Sequence, residues 1–235
     1  MSEKLVEISG VHFSYGPSPL LADINLTIRE GDFVGVVGAN GSGKTTLVKL
    51  LLGHLLPQKG TIRHYCDGKP VAAPQIGYLP QYAAVDKSFP LSVREVVETG
   101  LLSPRTMWRP FLSSGDRRRV DAIIEQMGLS ALSDKAIGSL SGGELQKTIL
   151  ARAIVSSPRL LLLDEPDTYL DSCSQENLYD FLKKINKNCA IVLVSHDVSA
   201  VSERCNLVVS VNRTLQSCSD FSKKNALSDN RCKVV

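Results

Sequence analysis

The chain of 235 residues is 43% apolar and 22% charged, with a formal net charge of +3, a composition that excludes a disordered polymer and allows one sizeable core or two modest lobes. So slight a positive balance argues against a nucleic-acid binder, and the one dense basic run, Arg117-Arg118-Arg119, lies in a helical pattern and reads as a solvated face, with contacts to a partner protein or lipid headgroups as the alternative. No stretch approaches the roughly 18–20 apolar residues of a membrane span, Met1-Ser2-Glu3-Lys4 opens no signal peptide, and the 6 cysteines form no C-x-x-C pair, so a cytosolic chain with reduced thiols is expected.

In chain order, Val6 and Ile8, then Ile24, Leu26 and Ile28, alternate as half-buried strands do. Glu30-Gly31-Asp32 punctuates them before an apolar run, Phe33 to Val37, that reads as a buried strand. Directly after it, Gly38-Ala39-Asn40-Gly41-Ser42-Gly43-Lys44-Thr45-Thr46 spells G-x-x-x-x-G-K-[ST]. The spelling has a chemical reason. Glycines let backbone N–H groups close on phosphates, Lys44 reaches the β and γ oxygens, the Thr45 hydroxyl can ligate Mg²⁺, and the helix opening at Gly43 adds its positive dipole end. A nucleoside-triphosphate protein follows.

Leu47, Leu50, Leu51 and Leu55 recur at helical spacing until Pro57, and a strand pair is expected around Thr61 to Tyr65 and Ile76 to Leu79. His64 and Cys66, two apart in the first of these, are two candidate ligands without a third and read as structural. Ser92-Val93-Arg94-Glu95 is a capping box that starts a helix, Val120, Ile123, Ile124 and Met127 mark a second, and Glu144 to Ser156 forms a third before Pro158. The segment from about 85 to 157 therefore reads as an all-helical insertion. Strand and helix alternate again beyond it, at Leu160–Leu163, about Ser174–Ile185, Ala190–Ser195 and Leu207–Val211. That alternation favours a largely parallel α/β sheet with ligands at strand C-terminal ends. From Asn212 the chain turns polar, and residues 214–235 are expected to form a loosely held tail.

Two further strings carry chemistry. Leu160-Leu161-Leu162-Leu163-Asp164-Glu165-Pro166 delivers adjacent carboxylates at the end of a buried strand, which costs desolvation and repulsion unless a cation sits nearby. With a phosphate loop upstream, Asp164 would enter the Mg²⁺ shell and Glu165 would orient or deprotonate the attacking water. Leu140-Ser141-Gly142-Gly143-Glu144-Leu145-Gln146 places Ser-Gly-Gly at a helix start, where free N–H groups make a second anion site.

Together these strings resemble the ATP-binding-cassette (ABC) ATPases over roughly residues 3–213. The resemblance implies a P-loop NTPase (RecA-like) α/β core with an antiparallel β subdomain and the helical insertion at about 85–157. It also implies two ATP molecules, each with Mg²⁺, held between two head-to-tail copies. The ATP-binding residues would be Tyr15, stacking on adenine, with Gly38, Asn40, Gly41, Ser42, Gly43, Lys44, Thr45 and Thr46. Ser141, Gly142, Gly143 and Glu144 would face the phosphate loop of the other copy. Thr45, Gln81 and Asp164 would hold Mg²⁺, Glu165 and His196 would be catalytic, and Asp171 would lie in the loop that crosses to the partner. Glu144 and Lys147 stand where Gln and Arg are commoner in that family, and Tyr169 is bulky where small residues are usual.

The resemblance further implies a homodimer on the cytoplasmic face of the membrane, driving a separate integral membrane permease fed by an extracytoplasmic substrate-binding protein, with the surface around Gln81 to Val97 docking on the permease. The string Tyr78 to Val97, with Val85-Asp86-Lys87-Ser88-Phe89-Pro90-Leu91-Ser92-Val93, looks like the ATPases of zinc and manganese importers, as does Val211-Asn212-Arg213. An aromatic residue is commoner at Lys87 and a basic one at Tyr82. Other cargoes, such as an iron chelate, and a two-subunit exporter stay open. A soluble cassette acting on nucleic acid or ribosomes usually carries two cassettes, a coiled-coil insertion or a basic extension, and none is present.

Overall fold

The computed structural model describes residues 2–72, 74–81, 86, 88–102, 112–168, 170–217 and 233–234. Strands β1 (Lys4–Phe13) and β2 (Leu21–Arg29) pair antiparallel, and β4 (Lys59–Cys66) and β5 (Lys69–Val71) extend them into a four-stranded sheet of order β2-β1-β4-β5. The second sheet is built on β3 (Phe33–Val37), β6 (Ile76–Leu79), β7 (Leu160–Asp164), β8 (Ala190–Val194) and β9 (Leu207–Asn212), all parallel, in the order β9-β3-β8-β7-β6.

The run of leucines in β7 is explained by burial on both faces, as parallel sheets require. Leu160 and Leu162 pack with β1, β2 and helix α1 (Lys44–Leu51), whereas Leu161 and Leu163 face the helical side. There lie α2 (Val93–Thr99), α3 (Ser114–Gln126), α4 (Gly142–Ile154), α5 (Ser172–Asn186) and α6 (Val198–Arg204). The capping box read at Ser92 is formed: Glu95 N–H donates to Ser92 Oγ at 3.2 Å and Glu95 Oε2 accepts from Ser92 N–H at 2.8 Å. The spacing also caps α3, through Ser113 and Asp116.

Two expectations are corrected. The strands near residues 61–65 and 76–79 do not pair with each other: β4 joins the antiparallel sheet and β6 closes the parallel one. The reason is that β6 lies in register with β7, Ile76 to Leu79 beside Leu160 to Leu163, and its Gly77 packs against the Ala153 carbonyl of α4. Nor is the chain loose just past Asn212. Thr214–Ser217 forms β10, antiparallel to β9, because Leu215 is buried with the apolar side chains between the two sheets. Lys233–Val234 forms β11 on its far edge. Residues 218–232, with Cys218 and Cys232, lie outside the described residues, as do Tyr82, Lys87 and Tyr169.

One residue ties the sheets together at their lower edge. Arg159, just before β7, donates to Glu3 Oε2 at 2.6 Å, to Asp67 Oδ1 at 3.1 Å and to a Glu30 carboxylate oxygen. Its partners come from the start of β1, the end of β2 and the β4–β5 turn, so a single guanidinium fork closes one sheet against the other.

The α2–α4 contact is equally tight. A Cβ at Gly100, which ends α2, would sit 2.0 Å from the Arg152 carbonyl oxygen and 2.7 Å from Val155 Cγ1. Gly100→Ala must therefore push the two helices apart, and it should cost about 1–3 kcal/mol. Thermal unfolding followed by circular dichroism checks this; an unchanged midpoint would mean that α2 shifts freely.

Candidate functional site

The C-terminal ends of the parallel strands bring part of the predicted set together: the phosphate loop after β3, Gln81 after β6, Asp164 and Glu165 at the end of β7, and His196 after β8. Beyond β3, the backbone turns through Gly38 and Gly41 into α1, with Gly43 as its N-cap at φ 106, a left-handed conformation suited to glycine. No side chain caps this helix, so its first N–H groups point into the loop, as an anion site requires. Lys44 is buried, and its ammonium donates to the carbonyls of Gly38 at 2.9 Å and Ala39 at 3.0 Å. The cation thus lies across the mouth of its own loop.

A cleft of about 530 Å³ opens over this loop, lined by Tyr15, Leu20, Asn40, Gly41, Gly43, Lys44, Thr45, Thr46, Gln81 and Glu165. Tyr15 is 66% exposed, with its ring edge-on to Phe13 at 5.0 Å, and the Thr46 hydroxyl lies 3.5 Å from its phenolic oxygen. That exposure leaves aromatic surface open at the cleft's rim, which suits a planar base.

At the cleft's other end, Gln81 from the end of β6 donates its amide to Glu165 Oε2 at 2.8 Å, and His196, after β8, has Nδ1 3.9 Å from Glu165 Oε1. The latter distance is too long for a direct hydrogen bond. Glu165 itself has φ 51, a left-handed conformation that is costly for a residue with a Cβ. Its neighbour Asp164 is 1% exposed. Burial raises the Asp164 carboxyl above the ordinary carboxylate range, with the charge of Glu165 adding to the rise, while a hydrogen bond with Thr45 and the Lys44 charge oppose it.

Asp164 Oδ2 is buried without a hydrogen-bond partner, a costly state for an acceptor. An unpaired carboxylate oxygen beside the Thr45 hydroxyl, at the end of a phosphate loop, fits a hard cation such as Mg²⁺. Ser42 Oγ is also buried and unpartnered.

Ser141, Gly142, Gly143 and Glu144 are not among the residues lining this cleft. They open α4, but the arrangement differs from a row of free donors. Glu144 Oε2 accepts from both the N–H and the hydroxyl of Ser141, each at 2.8 Å, as half of a capping box. A capping carboxylate thus already occupies part of the anion site read from the sequence, leaving the N–H groups of Gly142 and Gly143. Asp171 caps α5, accepting from Ser174 N–H at 2.9 Å. Sequence reasoning passed over Asp167 and Tyr179; one lies in the loop after β7 and the other on α5, so no single periodic pattern signals the pair.

The comparisons with known proteins agree with this chemistry. Residues 21–168 match the family model described as ABC transporter. The chain is 37% identical over 228 residues to a Chlamydia pneumoniae protein named "Probable metal transport system ATP-binding protein", covering 95% of this chain and 91% of that one. It is 37% identical over 215 residues to the "Zinc import ATP-binding protein ZnuC" of Saccharophagus degradans, covering 91% and 78%. Among solved structures, it superposes with TM-score 0.75 and 26% identity on an ATP-binding cassette in a dimeric post-hydrolysis state bound to ADP and Pi, covering 90% of this chain and 96% of that one.

Proposed function

This chain belongs to the ABC transporter family as an ATP-binding subunit, and from that premise we propose that it hydrolyses ATP to drive import of divalent metal ions, zinc or manganese, through a separate membrane permease. The observation that carries the hydrolytic half is the meeting of Lys44, Gln81 and Glu165 around one cleft, with His196 beside Glu165. The names of the relatives above support the cargo, together with the string from Tyr78 to Val97.

In this reading Tyr15 stacks on the adenine, and the N–H groups of the loop with Lys44 hold the β and γ phosphates. Thr45, Gln81 and Asp164 would hold Mg²⁺, which when bound neutralises developing charge on the phosphates. Glu165 orients the attacking water and accepts its proton, and His196 approaches the γ-phosphate. Gly142 and Gly143 of a second copy supply donors to the same phosphate, so that two copies clamp two nucleotides and Asp171 lies at the crossing. Among the described residues no helix is long and apolar enough to cross a membrane. The transport path therefore belongs to a partner, and this subunit would sit against its cytoplasmic side, with the metal delivered by an extracytoplasmic binding protein and no nucleic acid involved.

The test is the zinc, manganese and iron content of cells lacking the gene, grown under metal limitation and complemented with the wild type or with Lys44→Ala. A deficit of zinc or manganese that only the wild type restores is the expected result. No metal deficit, or an iron deficit alone, overturns the cargo assignment and leaves the ATPase without it.

A further inference from the structure

Behind the cleft lies a polar column that the roles above do not use. Asp167, two residues past Glu165, is 8% exposed, and it accepts a hydrogen bond of 2.8 Å from the hydroxyl of Tyr179, itself 2% exposed, on α5. The Arg204 guanidinium, near the end of α6, lies 4.4 Å from the centre of the Tyr179 ring, a cation–π contact. Burial and the charge of Asp167 push the Tyr179 phenol well above its ordinary range, so it remains a hydrogen-bond donor.

The column joins two elements that also carry candidate catalytic groups. At one end, the loop 165–171 is fixed at several points. Glu165 N–H donates to the Val194 carbonyl at 3.0 Å, Thr168 Oγ1 donates to the Glu165 carbonyl at 3.2 Å, and the Gln175 amide donates to the carbonyls of Asp167 at 3.3 Å and Leu170 at 3.2 Å. At the other end, Arg204 is the last residue of α6, and the first turn of that helix is capped by Asp197, the residue after His196; the Asp197 carboxylate accepts from Ala200 N–H at 2.9 Å. Glu165 is held in a left-handed conformation that persists only when its surroundings over-determine it. Among the described residues of that loop, Asp167 is a buried polar residue, and its side chain is hydrogen-bonded.

We propose that Asp167, Tyr179 and Arg204 are positioning residues for ATP hydrolysis, a column that fixes the Glu165 loop against the helix whose start carries His196, and so sets the Glu165–His196 spacing. This rests on the reading of Glu165 as the group that handles the attacking water. A purely packing role would affect stability; a positioning role affects the chemical step. Lys44 and Tyr15 grip the nucleotide independently of the column, so loosening it should lower kcat and leave the KM for ATP in place.

The experiment compares ATP turnover by the full chain as wild type, Tyr179→Phe, Arg204→Met, Asp167→Asn, Asp167→Ala and Glu165→Gln. Tyr179→Phe removes one oxygen and should lower kcat by about tenfold, with the KM for ATP changed by less than about twofold. Asp167→Asn keeps an acceptor for the Tyr179 hydroxyl and should lose less turnover than Asp167→Ala. Wild-type kcat in Tyr179→Phe and Arg204→Met overturns the proposal, even if their unfolding midpoints fall. Should Tyr179→Phe not fold, the partly exposed Arg204→Met decides, and a kcat loss at constant KM is the supporting result. Undiminished turnover in Glu165→Gln would instead remove the premise, an outcome read separately from the column variants.

Discussion

Glu165→Gln is expected to abolish steady-state ATP hydrolysis while leaving ATP bound. The substitution is nearly isosteric, and the new amide oxygen can still accept from Gln81, whose donor lies 2.8 Å from the native carboxylate. The left-handed backbone at this position carries over unchanged, since glutamine has the same Cβ. What disappears is the basicity that takes a proton from water, and the loss of a positioned general base costs about 100-fold or more in rate. Because the phosphate loop and Tyr15 are untouched, the nucleotide should remain, and two copies should accumulate as an ATP-bound dimer. Phosphate release, nucleotide retention after desalting and size-exclusion chromatography measure the three consequences. Phosphate release at the wild-type rate would exclude Glu165 from the chemistry.

Lys44→Ala fails earlier, at binding. The Lys44 ammonium is the one buried cation of the loop, 6% exposed, and it is satisfied by the Gly38 and Ala39 carbonyls. ATP must exchange those neutral acceptors for charged phosphate oxygens. Each charge-assisted hydrogen bond is worth roughly 1.5–3 kcal/mol, so affinity should fall roughly ten- to hundredfold. The variant also leaves two carbonyls of a tight loop without their donor, which loosens the loop even without ligand. Titration with a fluorescent ATP analogue measures the change, and the contrast with Glu165→Gln is diagnostic: one variant binds without turning over, the other scarcely binds. Equal ATP affinity in Lys44→Ala and wild type would mean that the phosphates sit elsewhere.

Much of this arrangement was legible because the chemistry is local in sequence. The phosphate loop is a contiguous string, and the leucines of β7 with Asp164 and Glu165 are another; a buried strand that ends in two carboxylates asks for a cation wherever it lies. The capping box at Ser92 was legible for the same reason, since Ser92 and Glu95 are one helical turn apart. The box at Ser141 has the same spacing, yet there the glycines drew the reading toward a row of free donors, and the reach of Glu144 back to Ser141 went unseen. Sheet membership was not legible for β4 and β6. β6 is only four residues long, Ile76-Gly77-Tyr78-Leu79, and nothing in either strand records that β6 lies in register with β7 and β4 beside β1. Arg159 and the Asp167–Tyr179–Arg204 column escaped for a deeper reason. Their partners sit on different elements and are brought together only by the completed fold, whereas a periodic pattern speaks only for residues within one element.

The position of β3 has a consequence for how the chain comes into being. The strand that carries the phosphate loop is flanked by β8 on one side and β9 on the other, so it has no sheet neighbour among the first 189 residues. During synthesis Lys44 leaves the ribosome early, but its loop cannot be fixed until β8 and β9, residues 190–212, have been translated. Such long-range closure is slow compared with local helix formation. It also postpones a competent nucleotide grip until almost everything needed to use the nucleotide is present, so a stalled or truncated nascent chain should not capture cellular ATP.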